Sequence, residues 1–168
     1  MKKRSRQMAV CGMTAALGVV LMVLGSILGL GMYLAPMLAG WLLIPAGREY
    51  GIKQQLLLWI AISLLCFMLV TDVEQNMMFA FLFGWYPALR PRLQKLKRPL
   101  AILVKLLIFN VLVIAMGWVL MSLLVPEAVP GWMLALLLVI GNLTFIIYDL
   151  AIPVFDAVSA HYLKKFFR

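Results

Sequence analysis

The chain is poor in ionisable groups. Of its 168 residues 12% are charged, six are Asp or Glu and one is His, whereas about a quarter of an ordinary soluble domain is charged. The single histidine, His161, lies in a basic tail, so metal ligation or His-based catalysis among the apolar segments has no set of partners. No HExxH, no nucleophile elbow and no phosphate-cradling glycine loop ahead of Lys and Ser or Thr occurs. The expectation is a protein that is not an enzyme and carries no cofactor. Cys11 and Cys66 are far apart inside apolar runs, read as packing residues, and say nothing of redox compartment.

What the chain has instead is apolar length. Hydrophobic residues make up 65% of it, and a span needs about 20 mostly apolar residues to cross a hydrocarbon core of roughly 30 Å. Stretches without Asp, Glu, Lys or Arg run over Met8–Gly47 (40 residues), Gln54–Thr71 (18), Gln75–Leu89 (15), Leu106–Val125 (20) and Ala128–Tyr148 (21). The first is long enough for two spans. The fold predicted is an all-α polytopic bundle, a single membrane domain over 1–168, with spans over 8–28, 34–46, 53–70, 76–89, 99–125 and 131–151. A glycine-rich turn, Gly29 to Tyr33, separates the first two. Pro36 and Pro45 bracket the second, Pro87 and Pro91 end the fourth, Pro99 opens the fifth, and Pro153 marks a kink after the sixth. In the tail, 154–168, Phe155, Val158, Tyr162 and Phe166 share one helical face, as in a short amphipathic helix on the membrane surface.

A net charge of +9 could suggest nucleic acid, but the basic residues sit in short segments beside apolar spans, where they set orientation and meet anionic headgroups. The partner expected is lipid, not nucleic acid. With six spans and a cytoplasmic start, 14 of the 15 basic residues fall inside, and the outer loops hold Asp72, Glu74 and Glu127 without a basic residue. Both termini are therefore expected in the cytoplasm, in a plasma or inner membrane. The basic start followed by an apolar run resembles a signal peptide, but the run far exceeds the roughly 7 to 15 residues of a cleaved one and reads as an uncleaved first span.

Lys105 is the fifteenth cation. It lies in the fifth span, and reflection through the turn near Ala128 brings it within one helical turn of Asp149 in depth. An ionisable group at a span centre costs roughly 2.5–3.5 kcal/mol, and such groups commonly pair. The two readings are a structural latch and a proton or cation relay. Asn110, Asn142 and Thr144 could bond across the same helix pair as interhelical contacts, or touch a ligand. Asp72, Glu74, Asn76 and Trp132 lie toward the outer face, as solvated loop or as a capture region for a polar or cationic substrate; Trp41, Trp85 and Trp132 fall near span ends, where interfacial anchors sit.

Small residues crowd the first span, Ala9-Val-Cys-Gly-Met-Thr-Ala-Ala-Leu-Gly18. Gly12, Ala15 and Ala16 let another helix approach closely, in this chain or another. With six spans, both ends inside and a basic start, the whole chain resembles, as architecture, the substrate-binding S components of energy-coupling factor transporters. Members of that family present AxxxA on the first helix to a transmembrane coupling subunit; here Gly12 and Ala16 give a GxxxA form, while Ala15 is followed by Val19. The resemblance implies a vitamin-like solute bound at the outer face, beneath the 29–33, 72–76 and 127–132 segments, and uptake with a separate coupling subunit and ATPases. The segments Phe83-Gly-Trp-Tyr-Pro-Ala-Leu89 and Lys105-Leu-Leu-Ile-Phe-Asn110 also resemble uncharacterised bacterial membrane proteins of this size. The alternative function is a non-enzymatic scaffold or assembly protein of the cell envelope, using the Arg90–Arg98 segment and the basic tail.

Overall fold

A computed structural model of the chain describes residues 2–29, 33–123 and 131–166. Their regular structure is all helical: α1 (Lys2–Leu28), α2 (Leu34–Tyr50), α3 (Ile52–Leu69), α4 (Val73–Met77), a π-helical stretch (Met78–Phe83), α5 (Tyr86–Leu93), α6 (Arg98–Leu123) and α7 (Gly131–Phe166). Four stretches are long and apolar enough to cross a membrane, namely Arg4–Leu28, Ile52–Leu69, Arg98–Leu120 and Leu134–Ala160. Residues 30–32 of the glycine-rich turn, the 124–130 turn with Glu127, and the side chains of 161–166 lie outside the described residues.

Several helix ends differ from those the sequence suggests. α1 begins inside the basic start, at Lys2, and α2 passes through Pro45 to Tyr50. α5 includes Pro91 and reaches Leu93. α7 continues through Pro153 to Phe166, so the tail prolongs the last long apolar helix and is not a separate helix. Each proline removes one backbone donor, and each of these helices continues past its proline despite that loss. Phe155, assigned by spacing to a lipid-facing stripe, instead stacks on Trp41 with ring centroids 5.7 Å apart.

The chain forms two compact units. One comprises 1–89 with 154–168, and the other comprises 90–153. In the first, Met22 of α1, Leu43 of α2, Ile62 and Cys66 of α3, and Phe79 of the π-helical stretch are completely buried together. α2 and α3 are joined by Gly51 alone, at φ 89°, a left-handed conformation that favours glycine. Its amide donates to the Gly47 carbonyl at 3.0 Å and closes the end of α2.

The π-helical stretch owes its ending to two tryptophans and a glycine. The Gly84 amide donates to Phe79 O, five residues back, at 2.8 Å. Carbonyls left over at such an end need donors: Trp59 Nε1 of α3 donates to Ala80 O at 3.2 Å and Trp85 Nε1 to Phe81 O. A methyl group on Gly84 would collide with the Trp59 indole and with the Phe79 carbonyl. Glycine here is a condition for the Trp59 contact.

In the second unit, α6 and the 131–153 part of α7 pair at 105 with 149, 109 with 145 and 110 with 142, the near-constant sum of an antiparallel pair. Phe109 and Phe145 stack with centroids 4.4 Å apart. Tyr148 and Ile152 are buried on the same stretch of α7.

Candidate functional site

The densest grouping of charge inside the helices is built around Asp149 in the second unit. α7 carries its carboxylate toward α6, on the side of the helix where Phe145, four residues back, and the adjacent Tyr148 are buried. Lys105 Nζ donates to Asp149 Oδ2 at 2.7 Å. Arg90 Nε of α5 donates to Oδ1 at 2.7 Å, and its Nη2 reaches the Asp149 main-chain carbonyl at 3.3 Å. The side chains of Arg90, Lys105 and Asp149 are 13%, 10% and 20% exposed. With the Gln94 amide turned so that both its groups are satisfied, its oxygen accepts from Arg90 Nη1 and Nη2 at 3.0 and 3.1 Å. Both carboxylate oxygens are thus engaged by cations drawn from two other helices. The arrangement is a three-helix clasp with a net charge of +1.

Arg90 is the member that the sequence does not reveal. It reads as the first cation of a cytoplasmic loop beyond a proline stop, yet α5 continues past it to Leu93. The available signal was arithmetic: one carboxylate at depth with more than one cation near its level.

About two helical turns further from the clasp, Asn110 and Asn142 form a reciprocal amide pair. Each Nδ2 donates to the other's Oδ1 at 2.9 Å and also to a carbonyl of its own helix, Leu106 O or Leu138 O, at 2.8 Å. The stacked Phe109 and Phe145 lie between the charged and amide layers. Thr144 departs from the expected interhelical role: it is half-buried, and its hydroxyl donates to Ile140 O of α7 at 2.9 Å. A hydroxyl on a helix finds its own i−4 carbonyl without help from a neighbour.

The residues expected at the outer face divide between the units. Trp132 is exposed in the first turn of α7, in the second unit. In the first unit Asp72 caps α4, accepting from Gln75 N at 3.1 Å. Asn76 is not part of a solvated loop but is buried, and its Nδ2 donates to Cys66 O and Val70 O at 3.2 and 3.0 Å. Val70 O lies just past the end of α3, while Cys66 O already accepts from Val70 N at 2.8 Å and takes the Asn76 amide as a second donor. Gln75 beside it is also buried, and its Nε2 donates to Met22 O of α1 at 2.7 Å. Glu74 is half-buried; burial, and then the Asp72 charge, raise its carboxyl above the usual value. Burial, with Glu74 second, raises the Tyr33 hydroxyl in the same way.

The small residues of α1 face two ways. Gly18 is buried, and a methyl placed on it would crowd Ile62 Cδ1 at 3.0 Å, closer than ordinary contact; Ala15 packs against the same core. Ala15 therefore serves the chain's own packing and does not join an outward contact face. Ala9, Gly12 and Ala16 are exposed, and nothing lies within 4 Å of a methyl placed on Gly12.

Among the described residues, no group of three or more His, Cys, Asp or Glu side chains could hold a metal ion. Comparisons with protein-family models, with curated proteins and with solved structures give no match.

Proposed function

We propose that the chain is a six-span, non-enzymatic membrane subunit that binds a small, vitamin-like solute at its outer face for uptake driven by a separate coupling subunit and ATPases. The observation that carries this reading is the exposed Ala9, Gly12 and Ala16 face of α1, with open space at Gly12. In lipid, where helices gain nothing by hiding apolar surface from water, small residues are favoured where another helix packs closely. An outward-facing small stripe on a long apolar helix therefore suits a transmembrane partner, as in the S components that the chain resembles.

The six-span count adds two crossings to the four long apolar helices. α2, with 17 residues, is about 25 Å long, and the residues of α4, the π-helical stretch and α5 together suffice for another roughly 30 Å. This count puts both termini on the side of the basic segments, the cytoplasm. Asp72, Glu74 and Trp132 then belong to the outer face, where an acidic pair would favour a polar or cationic solute.

The test is co-purification. A tagged wild-type protein should bring down a second membrane subunit and its ATPases, and Gly12→Leu with Ala16→Leu should release them while leaving the melting temperature of the chain within a few degrees. A wild-type protein that purifies alone from its native membrane, binding no solute in thermal-shift screens, would favour the envelope scaffold instead. The structural employment of Asn76 at the end of α3 is the observation on that side.

A further inference from the structure

We propose that the basic turn joining α5 to α6 is a docking surface for the headgroups of anionic phospholipids, with Arg92, Lys95, Lys97 and Arg98 meeting the phosphates while Leu96 and Leu100 enter the upper acyl region.

The charge is uncompensated. From Gln75 to Pro126 the sequence holds six basic residues and no acidic one. Two of the six, Arg90 and Lys105, share Asp149. The other four are exposed and make no salt bridge among the described residues.

The backbone that carries them is internally bonded. Gln94 N donates to Arg90 O at 3.0 Å, Lys95 N to Arg92 O at 3.3 Å, Leu96 N to Leu93 O at 3.2 Å and Ala101 N to Lys97 O at 2.8 Å. Leu93 and Ala101 anchor the turn inward, while Leu96 and Leu100 between them stand exposed. Four cations are thus held on a formed turn, so little ordering is required when they meet an anionic surface.

The apolar surroundings select the partner. α6 begins at Arg98, is long and apolar enough to cross a membrane, and exposes Leu100, Ile102, Leu103 and Leu107 from its first turn onward. A soluble polyanion would satisfy the charges and leave those side chains in water. A bilayer satisfies both, since the cations reach headgroup level where the helix enters hydrocarbon, and basic clusters beside a span are attracted to anionic lipid. This inference holds whether or not the chain works with a coupling subunit.

The experiment uses the full chain in neutral detergent, mixed with phosphatidylglycerol or phosphatidylcholine of identical acyl composition, and counts bound lipid by native mass spectrometry. Phosphatidylglycerol should be retained in preference, and its apparent affinity should fall about fivefold for each of Arg92→Gln, Lys95→Gln, Lys97→Gln and Arg98→Gln. Lys95→Arg with Lys97→Arg should behave as wild type. Inorganic phosphate should neither bind stably nor compete. Equal retention of the two lipids by the wild-type protein would overturn the proposal, and that result needs no variant to fold. Undiminished preference in all four variants would overturn it too, as would tighter binding of soluble polyglutamate than of phosphatidylglycerol.

Discussion

Gln75 and Asn76 in the first unit and Arg90, Lys105 and Asp149 in the second do the same job, fastening helices by side-chain groups directed at atoms of a neighbouring element. The first unit uses neutral amides aimed at main-chain carbonyls, around a core in which Met22, Leu43, Ile62 and Phe79 are sealed from solvent. The second uses full charges between side chains, in a unit whose paired helices expose most of their apolar surface. A main-chain carbonyl has two lone pairs and can take a second donor even within a helix, as Met22 O and Cys66 O do, so an amide can be matched to it at little cost. A buried carboxylate must have its cation, and losing one partner strands the other.

The largest expected effect follows from that asymmetry. Asp149→Ala leaves Arg90 and Lys105 without their carboxylate and should cost about 3–5 kcal/mol, read as lost folded yield and a lower detergent melting temperature; Asn76→Ala should cost only about 1–2 kcal/mol. If the two losses are equal, charge gives the second unit no special fastening. Gly84→Ala should cost about 1–3 kcal/mol by overpacking against Trp59, and Trp59→Phe in the same background should recover part of it, as a double-mutant cycle would reveal. Asn110→Ala should cost about 0.6 kcal/mol or somewhat more, whereas replacing Asn110 and Asn142 together by Leu should come closer to neutral, because no amide is then left unpaired.

The smallest effect is a pH dependence in the first unit. Glu74 holds its proton more tightly folded than unfolded, since its carboxyl is raised from the ordinary 4.5. The stability this contributes is complete below 4.5 and is lost as pH rises through the raised folded value. Thermal melts of the wild-type protein should therefore decline over that window, and Glu74→Gln should flatten the decline. An unchanged profile in the variant would assign the dependence to another group.

Lys105 facing Asp149, and Asn110 facing Asn142, were legible because antiparallel helices of equal pitch align residues by a simple reflection through their turn. Arg90 was not, because its reach depends on α5 persisting through Pro91, which local propensity reads as a stop. The π-helical stretch was equally hidden, since Met78–Phe83 is uniformly apolar and its cause lies in Trp59, on another helix. The two faces of α1 could not be separated without the phase of the helix. Ala15, Gly18, Val19 and Met22 follow the inward spacing, and Ala9, Gly12 and Ala16 the outward one, but both spacings are helical and composition does not distinguish them.

The clasp also has an order in time. Lys105 precedes Asp149 by 44 residues and Arg90 precedes it by 59. At about 5–20 residues per second of synthesis, Lys105 waits roughly 2–9 s for its carboxylate after leaving the ribosome's catalytic centre. During that interval α6 must be accommodated with an unneutralised ammonium one to two turns from its basic end, the position from which a lysine can still reach the headgroups. Its carboxylate partner arrives only with α7. A nascent chain stalled before Asp149 should therefore remain more accessible to protease in the Arg90–Lys105 region than one stalled after it.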